Sequence, residues 1–251
     1  MQKGGILMSK RLFCLIGLLL LIGCKKPEER KCWKSKGDTD TVAVALDSVA
    51  HFSLGPHIKY IIHESDERKV EVIGGSNMIQ QVDFAYSGTE LRIENHNICH
   101  FLRKGDRFVE VNIYYPYYRS FFIEASDSVV FQDTLRSDSL NINLRNGGGS
   151  LKLTVDNQYI EINVSRGAAD YQLAGESDRA IIKIQNNGFA DATNFKAASI
   201  FAYQRSTADL YLNLEGASSY VLLEGTGDVY YTGIPSDLSI NGKGSGKLIQ
   251  F

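Results

Sequence analysis

The sequence predicts an all-β chain built mainly as a parallel β-helix, or β-solenoid, with rungs of about 20 residues. Three observations carry that prediction. Short runs such as "TVAVAL", "IKYIIH", "KVEVIG", "ELRIEN" and "VEVNIYY" alternate apolar with polar residues, the signature of half-buried strands. No long stretch repeats its apolar residues at the helical period. From residue 120 onward the alternation recurs at a regular interval, punctuated by small-residue turns, which is how stacked rungs read in sequence.

The first forty residues stand apart from the strands. Lys10 and Arg11 precede "LFCLIGLLLLIG", and Cys24 then opens "CKKPEERK". A basic start, a short apolar run and small residues before a cysteine describe a secretory signal. The run is too short for a comfortable membrane span. "LLIGC", with Leu21, Ile22 and Gly23 before the cysteine, resembles a bacterial lipobox. That resemblance implies a lipoprotein signal peptide over 1–23, cleavage after Gly23 and acylation of Cys24, with palmitate among the acyl chains. Met8 is an alternative start, since "MSKRLFCLIGLLLLIGC" is complete without the residues before it. Several acyl chains hold a protein stably on a bilayer that it does not cross. The expected location is the cell envelope, at the outer membrane of a Gram-negative bacterium.

Residues 24–40 are polar and charged and read as a flexible tether. Removing 1–23 takes away Lys3, Lys10 and Arg11 and no acidic residue, so 27 basic against 29 acidic residues become 24 against 29. An acidic balance excludes nucleic acid as a partner, because that would need a concentrated basic face. Cys14 leaves with the signal, so Cys32 and Cys99 remain beside the acylated cysteine. In an oxidising compartment either a Cys32–Cys99 disulfide or two free thiols fit equally well.

Residues 41–251 form the expected domain, with N-terminal strands over 41–118 and repeated coils over 119–251. The coils align on the residue that ends each small-residue turn: Asp127, Gly149, Asp170, Asp191, Asp209, Asp228 and Gly246, separated by 18 to 22 residues. Glycine suits such turns because it adopts positive φ and lets neighbouring backbones approach. The terminal "GKGSGKLIQF" is then the last turn and not a phosphate loop. Asn241 stands where a Walker loop needs its first glycine, and Leu248 where it needs Ser or Thr.

"LEGTGDVYYTGIPSDLSINGKGSGKLIQF" resembles the C-terminal end of the putative auto-transporter adhesin, head GIN domain family. Tyr231, Gly233, Pro235, Gly244 and Gly246 fall on its terminal pattern. "VEVNIYYPYYRSFFIEASD" resembles the family's entry into the coils, with Pro116 in the proline position. The resemblance covers roughly residues 41 to 251 and implies an envelope-anchored β-helical protein with no assigned activity. It brings no catalytic residues.

Four turn-ending residues in consecutive rungs are aspartates: Asp170, Asp191, Asp209 and Asp228. In register their carboxylates would repel one another, so something must offset the repulsion. Each would cap its own turn backbone; a bound calcium ion or pairing with Arg166 and Arg205 are the alternatives. Catalysis is not expected. A glycosidase needs one carboxyl group with a raised pKa, and a solvated turn has no apolar pocket to raise it. His96, Cys99 and His100 lie in "HNICH", but three ligands on one extended stretch point to alternate faces and lack a fourth, so no metal or cofactor is expected. In "YYPYYRSFF", Tyr114 to Phe122, alternate rings would face the core. The remainder would cap or join the solenoid, or meet a sugar or protein. The expected function is a non-catalytic binding or adhesion module for a glycan or protein ligand. A structural envelope module is the alternative, and a polysaccharide-active enzyme comes third.

Overall fold

The computed structural model describes residues 35–97 and 109–251. The signal peptide, residues 24–34 of the tether, Cys24, Cys32, Cys99 and His100 lie outside the described residues. Within them the chain runs β1 (Thr39–Ala45), β2 (His51–Leu54), β3 (Lys59–Glu64), β4 (Lys69–Gly75), the four-residue helix α1 (Ser76–Ile79), β5 (Val82–Ser87) and β6 (Glu90–Asn95). It resumes with β7 (Glu110–Tyr115), β8 (Ser120–Ile123), β9 (Val129–Leu135), β10 (Ser139–Leu144), β11 (Ser150–Val164), β12 (Asp170–Asn186) and β13 (Phe189–Ser206). The last strands are β14 (Leu210–Asn213), β15 (Ser218–Leu223), β16 (Val229–Thr232), β17 (Asp237–Gly242) and β18 (Leu248–Gln250). β1 begins two residues inside the stretch read as a tether.

The period-2 alternation becomes a two-faced solenoid. In β10, Leu140, Ile142 and Leu144 are buried while Asn141 and Asn143 face outward. Each apolar residue repeats about one rung later, because side chains stacked in a parallel ladder share one side of the sheet. On one face, here face A, the ladder runs β9, the first half of β11, the first half of β12, the first half of β13, β14, β16 and β18. On face B it runs β8, β10, the second halves of β11, β12 and β13, then β15 and β17. The two faces enclose one apolar core.

The N-terminal strands do not merely precede these coils. β2 pairs in parallel with both β6 and β8, and β3 pairs in parallel with both β7 and β9. The β2–β3 rung is therefore inserted between the β6–β7 rung and the β8–β9 rung, out of chain order. One buried column shows the spatial sequence: Leu91, Phe52, Phe121, Ile142, Ile162, Ile182, Ala202 and Val221. Antiparallel strands cover this end of the stack, with β4 on β7, β1 on β4 and β5 on β6. At the other end the same column reaches Ile240 of β17, which is 54% exposed.

The turn glycines act chiefly through close approach. Positive φ occurs at Gly167, Gly175, Gly216, Gly233 and Gly242, and also at Asn146 and Asn186, but not at Gly227 or Gly246. A Cβ on Gly227 would collide with the Ala208 carbonyl oxygen, and one on Gly246 with that of Gly227. The turn position thus stacks Asp127, Gly149, Ala169, Gly188, Ala208, Gly227 and Gly246, a column of mostly small residues where backbone rests on backbone. Gln204, fully buried, closes this corner by donating to the Ser206 and Ala208 carbonyls at 3.2 and 2.9 Å.

Candidate functional site

The outer surface of face A carries a groove of about 320 Å³ over β11 and β12. Its residues form a grid set by the ladder. Ser150, Asp170 and Phe189 share one outward column, and Val130, Lys152 and Gln172 share the next. Between the columns run Leu151 and Tyr171, whose side chains point into the core. Neither Lys152 nor Gln172 has a side-chain hydrogen bond or ion pair among the described residues.

Bulges frame the groove on both sides. β9 loses register with β11 between Lys152 and Thr154, and β12 loses register with β13 between Gln172 and Ala174. A bulge adds a residue to one strand and re-aims its side chains. On β13 the cause is local. The Asp191 carboxylate accepts the Thr193 N–H at 3.0 Å and the Thr193 hydroxyl at 2.7 Å, holding the extra residue in place.

The pairing register corrects the expected aspartate column. Asp191 lies beside Gln172 and Tyr211, whereas Asp170 lies beside Phe189. Only Asp209 and Asp228 stand next to one another, one residue before the Leu210–Val229 pair. The expectation of caps within each residue's own turn holds for Asp191 alone. Asp209 accepts the backbone N–H of Asp228 at 2.8 Å, and Asp228 accepts that of Lys247 at 2.7 Å. Asp170 makes no such bond among the described residues: the Phe189 N–H donates to the Ala169 carbonyl at 3.4 Å, and partial burial raises the Asp170 pKa above the usual carboxylate range. The Asp209 and Asp228 carboxylates each clip one rung to the next. No ion pair joins Arg166 to Asp170 or Arg205 to Asp209 among the described residues.

Phe189 also begins a row of outward rings. It packs at a tilt against Tyr211 with centroids 5.7 Å apart, and Tyr211 stacks on Tyr230 at 5.0 Å and 12°. Rings stacked along the solenoid axis cover one another's faces and offer edges to solvent. Phe189 ends the row, so its surface away from Tyr211 borders the groove. The aromatic run at 114–122 does not alternate throughout, because β7 ends at Tyr115 and β8 begins only at Ser120. Tyr115, Tyr118 and Phe121 join Phe52 in one buried cluster across neighbouring rungs, while Tyr117 is 40% exposed. Tyr114 stacks on His63 at 4.5 Å and lies under Lys69.

His96 faces Asp83 and Glu94 at 3.2 and 3.8 Å on the surface. Among the described residues no three His, Cys, Asp or Glu side chains converge in a metal-holding arrangement, and no helix is long and apolar enough to cross a membrane. Sequence reasoning missed Lys152, Gln172 and Phe189. Counting turns aligned Asp191 with Asp170, two positions out of register, which hid the grid; the one available signal was Phe189 standing where neighbouring rungs have Asp.

Comparison with known proteins agrees with this architecture. The family described as putative auto-transporter adhesin, head GIN domain, matches residues 51–235. A structure named a putative adhesin from Bacteroides fragilis superposes with a TM-score of 0.75 at 18% identity, covering 85% of this chain and 97% of that one. A putative adhesin from Parabacteroides merdae gives 0.61 at 14% identity, covering 86% and 98%. A protein named a putative lipid binding protein, from Parabacteroides distasonis, gives the same values. At these identities the structures establish the fold alone. No curated protein matches. With a profile match over most of its length, the chain belongs to the putative auto-transporter adhesin, head GIN domain family.

Proposed function

We propose that this protein is a lipid-anchored, non-catalytic adhesion or binding module of the cell envelope, and that face A is its contact surface. The observation that carries the reading is the groove itself. It holds an unpaired ammonium, an unpaired amide and a ring surface on rigid strands, the type of site that binds without reacting. Asp170 is its single carboxylate, whereas glycoside hydrolysis uses two at a set separation. The lipobox-like "LLIGC" supports the anchor at Cys24. The adhesin-like family supports an envelope location.

The test uses intact cells carrying the full chain. Protease shaving should remove the domain from the surface. Adhesion to immobilised mucin or collagen should exceed that of a deletion strain and fall when Lys152→Glu and Phe189→Ala are combined. A domain protected from protease, with adhesion indifferent to the variant, would instead support a bracing role inside the envelope.

A further inference from the structure

We infer that the face A groove binds an uncharged pyranose unit of a glycan through its vicinal hydroxyls, with the sugar's C–H face against Phe189. This inference rests on the reading of face A as the contact surface and adds the ligand class.

The argument starts from the grid. Lys152 and Asp170 occupy diagonal positions, in adjacent columns and adjacent rungs. They form no ion pair with each other, so both heads remain available. No side-chain hydrogen bond or ion pair occupies the Asp170 carboxylate among the described residues, and a carboxylate has capacity for several donors. A sugar hydroxyl is both donor and acceptor, so neighbouring hydroxyls can donate to Asp170 and accept from Lys152. Such charge-assisted bonds are stronger than neutral ones. Gln172, beside Lys152 and two residues along the strand from Asp170, supplies both a donor and an acceptor for a further hydroxyl.

Charge balance selects against ions. The groove's lining contains one cation and one anion, so a uronate would gain from Lys152 and lose to Asp170. An amino sugar would suffer the reverse. An uncharged sugar uses both groups without repulsion. The apolar component is Phe189, whose surface away from Tyr211 borders the groove. An aromatic ring offers apolar contact area of the size of a pyranose face. Tyr211 and Tyr230 cannot serve this way, because their faces are stacked on each other. The groove's volume of about 320 Å³ lies at the small end of ligand sites, about 300–1,000 Å³, which suits a short glycan segment rather than a broad protein surface.

The full acylated chain in detergent should be applied to an array of uncharged hexose, uronic acid and cationic amino-sugar oligosaccharides. Hits should be confined to the uncharged class, and affinity for the strongest hit should change less than twofold between low and physiological salt. Lys152→Gln and Phe189→Leu should each weaken that hit at least tenfold, with unchanged melting temperature confirming the fold. An empty array, a preference for uronates, or binding indifferent to both variants would overturn the inference. The two readings separate cleanly. Adhesion lost in the groove variant with an empty array would leave face A as a contact surface and refute the sugar. Sugar binding with adhesion unaffected would do the opposite.

Discussion

The Asp209 carboxylate accepts the backbone N–H of Asp228, one rung away, at 2.8 Å, and Asp228 repeats the contact with Lys247 at 2.7 Å. The two carboxylates are thereby held in adjacent rungs, about 4.8 Å apart by the ladder spacing, although like charges repel. Each bond must outweigh its share of that repulsion.

Asp209→Ala and Asp228→Ala should each cost about 0.5–2 kcal/mol, as other side-chain caps do. The double variant should cost more than the sum, because each single change also relieves the repulsion. A coupling on the order of 0.5 kcal/mol is expected. Denaturant unfolding of both single variants and the double measures it. A shared cation would reverse the sign, since removing one ligand would make the second removal nearly free, and chelator would then lower the melting temperature.

Asp170 should respond to pH in the opposite sense to a salt-bridged carboxylate. Burial raises its pKa above the ordinary value of 3.8, so ionisation is harder in the folded state than in the unfolded one. Its contribution is fully present below the unfolded pKa and is lost as pH rises through the folded value. Asp170→Asn keeps the side chain's size and does not titrate. The variant should therefore gain stability relative to wild type across that window and hold the gain at neutral pH. Thermal melts at several pH values check this, and a variant that loses ground as pH rises would contradict it.

Gly227→Ala should destabilise by roughly 1–3 kcal/mol, the range for overpacking, because the new methyl meets the Ala208 carbonyl of the rung beneath. Gly148→Ala is the control. A Cβ there meets nothing within 4 Å, so the change should stay within about 0.5 kcal/mol. Equal melting temperatures for both variants would contradict the close-approach account.

Cys24→Ser should leave an unprocessed precursor in the cell, visible as a larger band and unlabelled by radioactive palmitate. Normal processing would refute the lipid anchor.

The repeated half of the fold was legible because its signal is local and redundant. Leu140, Ile142 and Leu144 announce a strand, and Ile160, Ile162 and Val164 announce the same strand one rung later. The insertion of the β2–β3 rung was not legible, since nothing in "HFSL" specifies that His51 will pair with both Glu90 and Ser120. The groove was hidden for a different reason. Four residues separate Ile184 from Phe189 where five separate Val164 from Asp170, so Phe189 and not Asp191 falls beside Asp170, and turn counting registers that only as an irregular interval. Lys152 looks like any solvated lysine until the ladder sets it beside Gln172 and diagonal to Asp170.

The inserted rung also orders events during synthesis. Contacts in the repeated coils span 19 to 22 residues, so each coil can dock as soon as the next one emerges. The β2–β8 contact between His51 and Ser120 spans 69, and β3 must likewise await β9. Loop closure makes such distant pairings slow relative to local ones. Phe52 and Tyr60, both fully enclosed at the end, are thus made early and buried late. Through that interval this segment is the part of the chain with most need of a holdase chaperone, and aggregation of slow-folding variants should begin there.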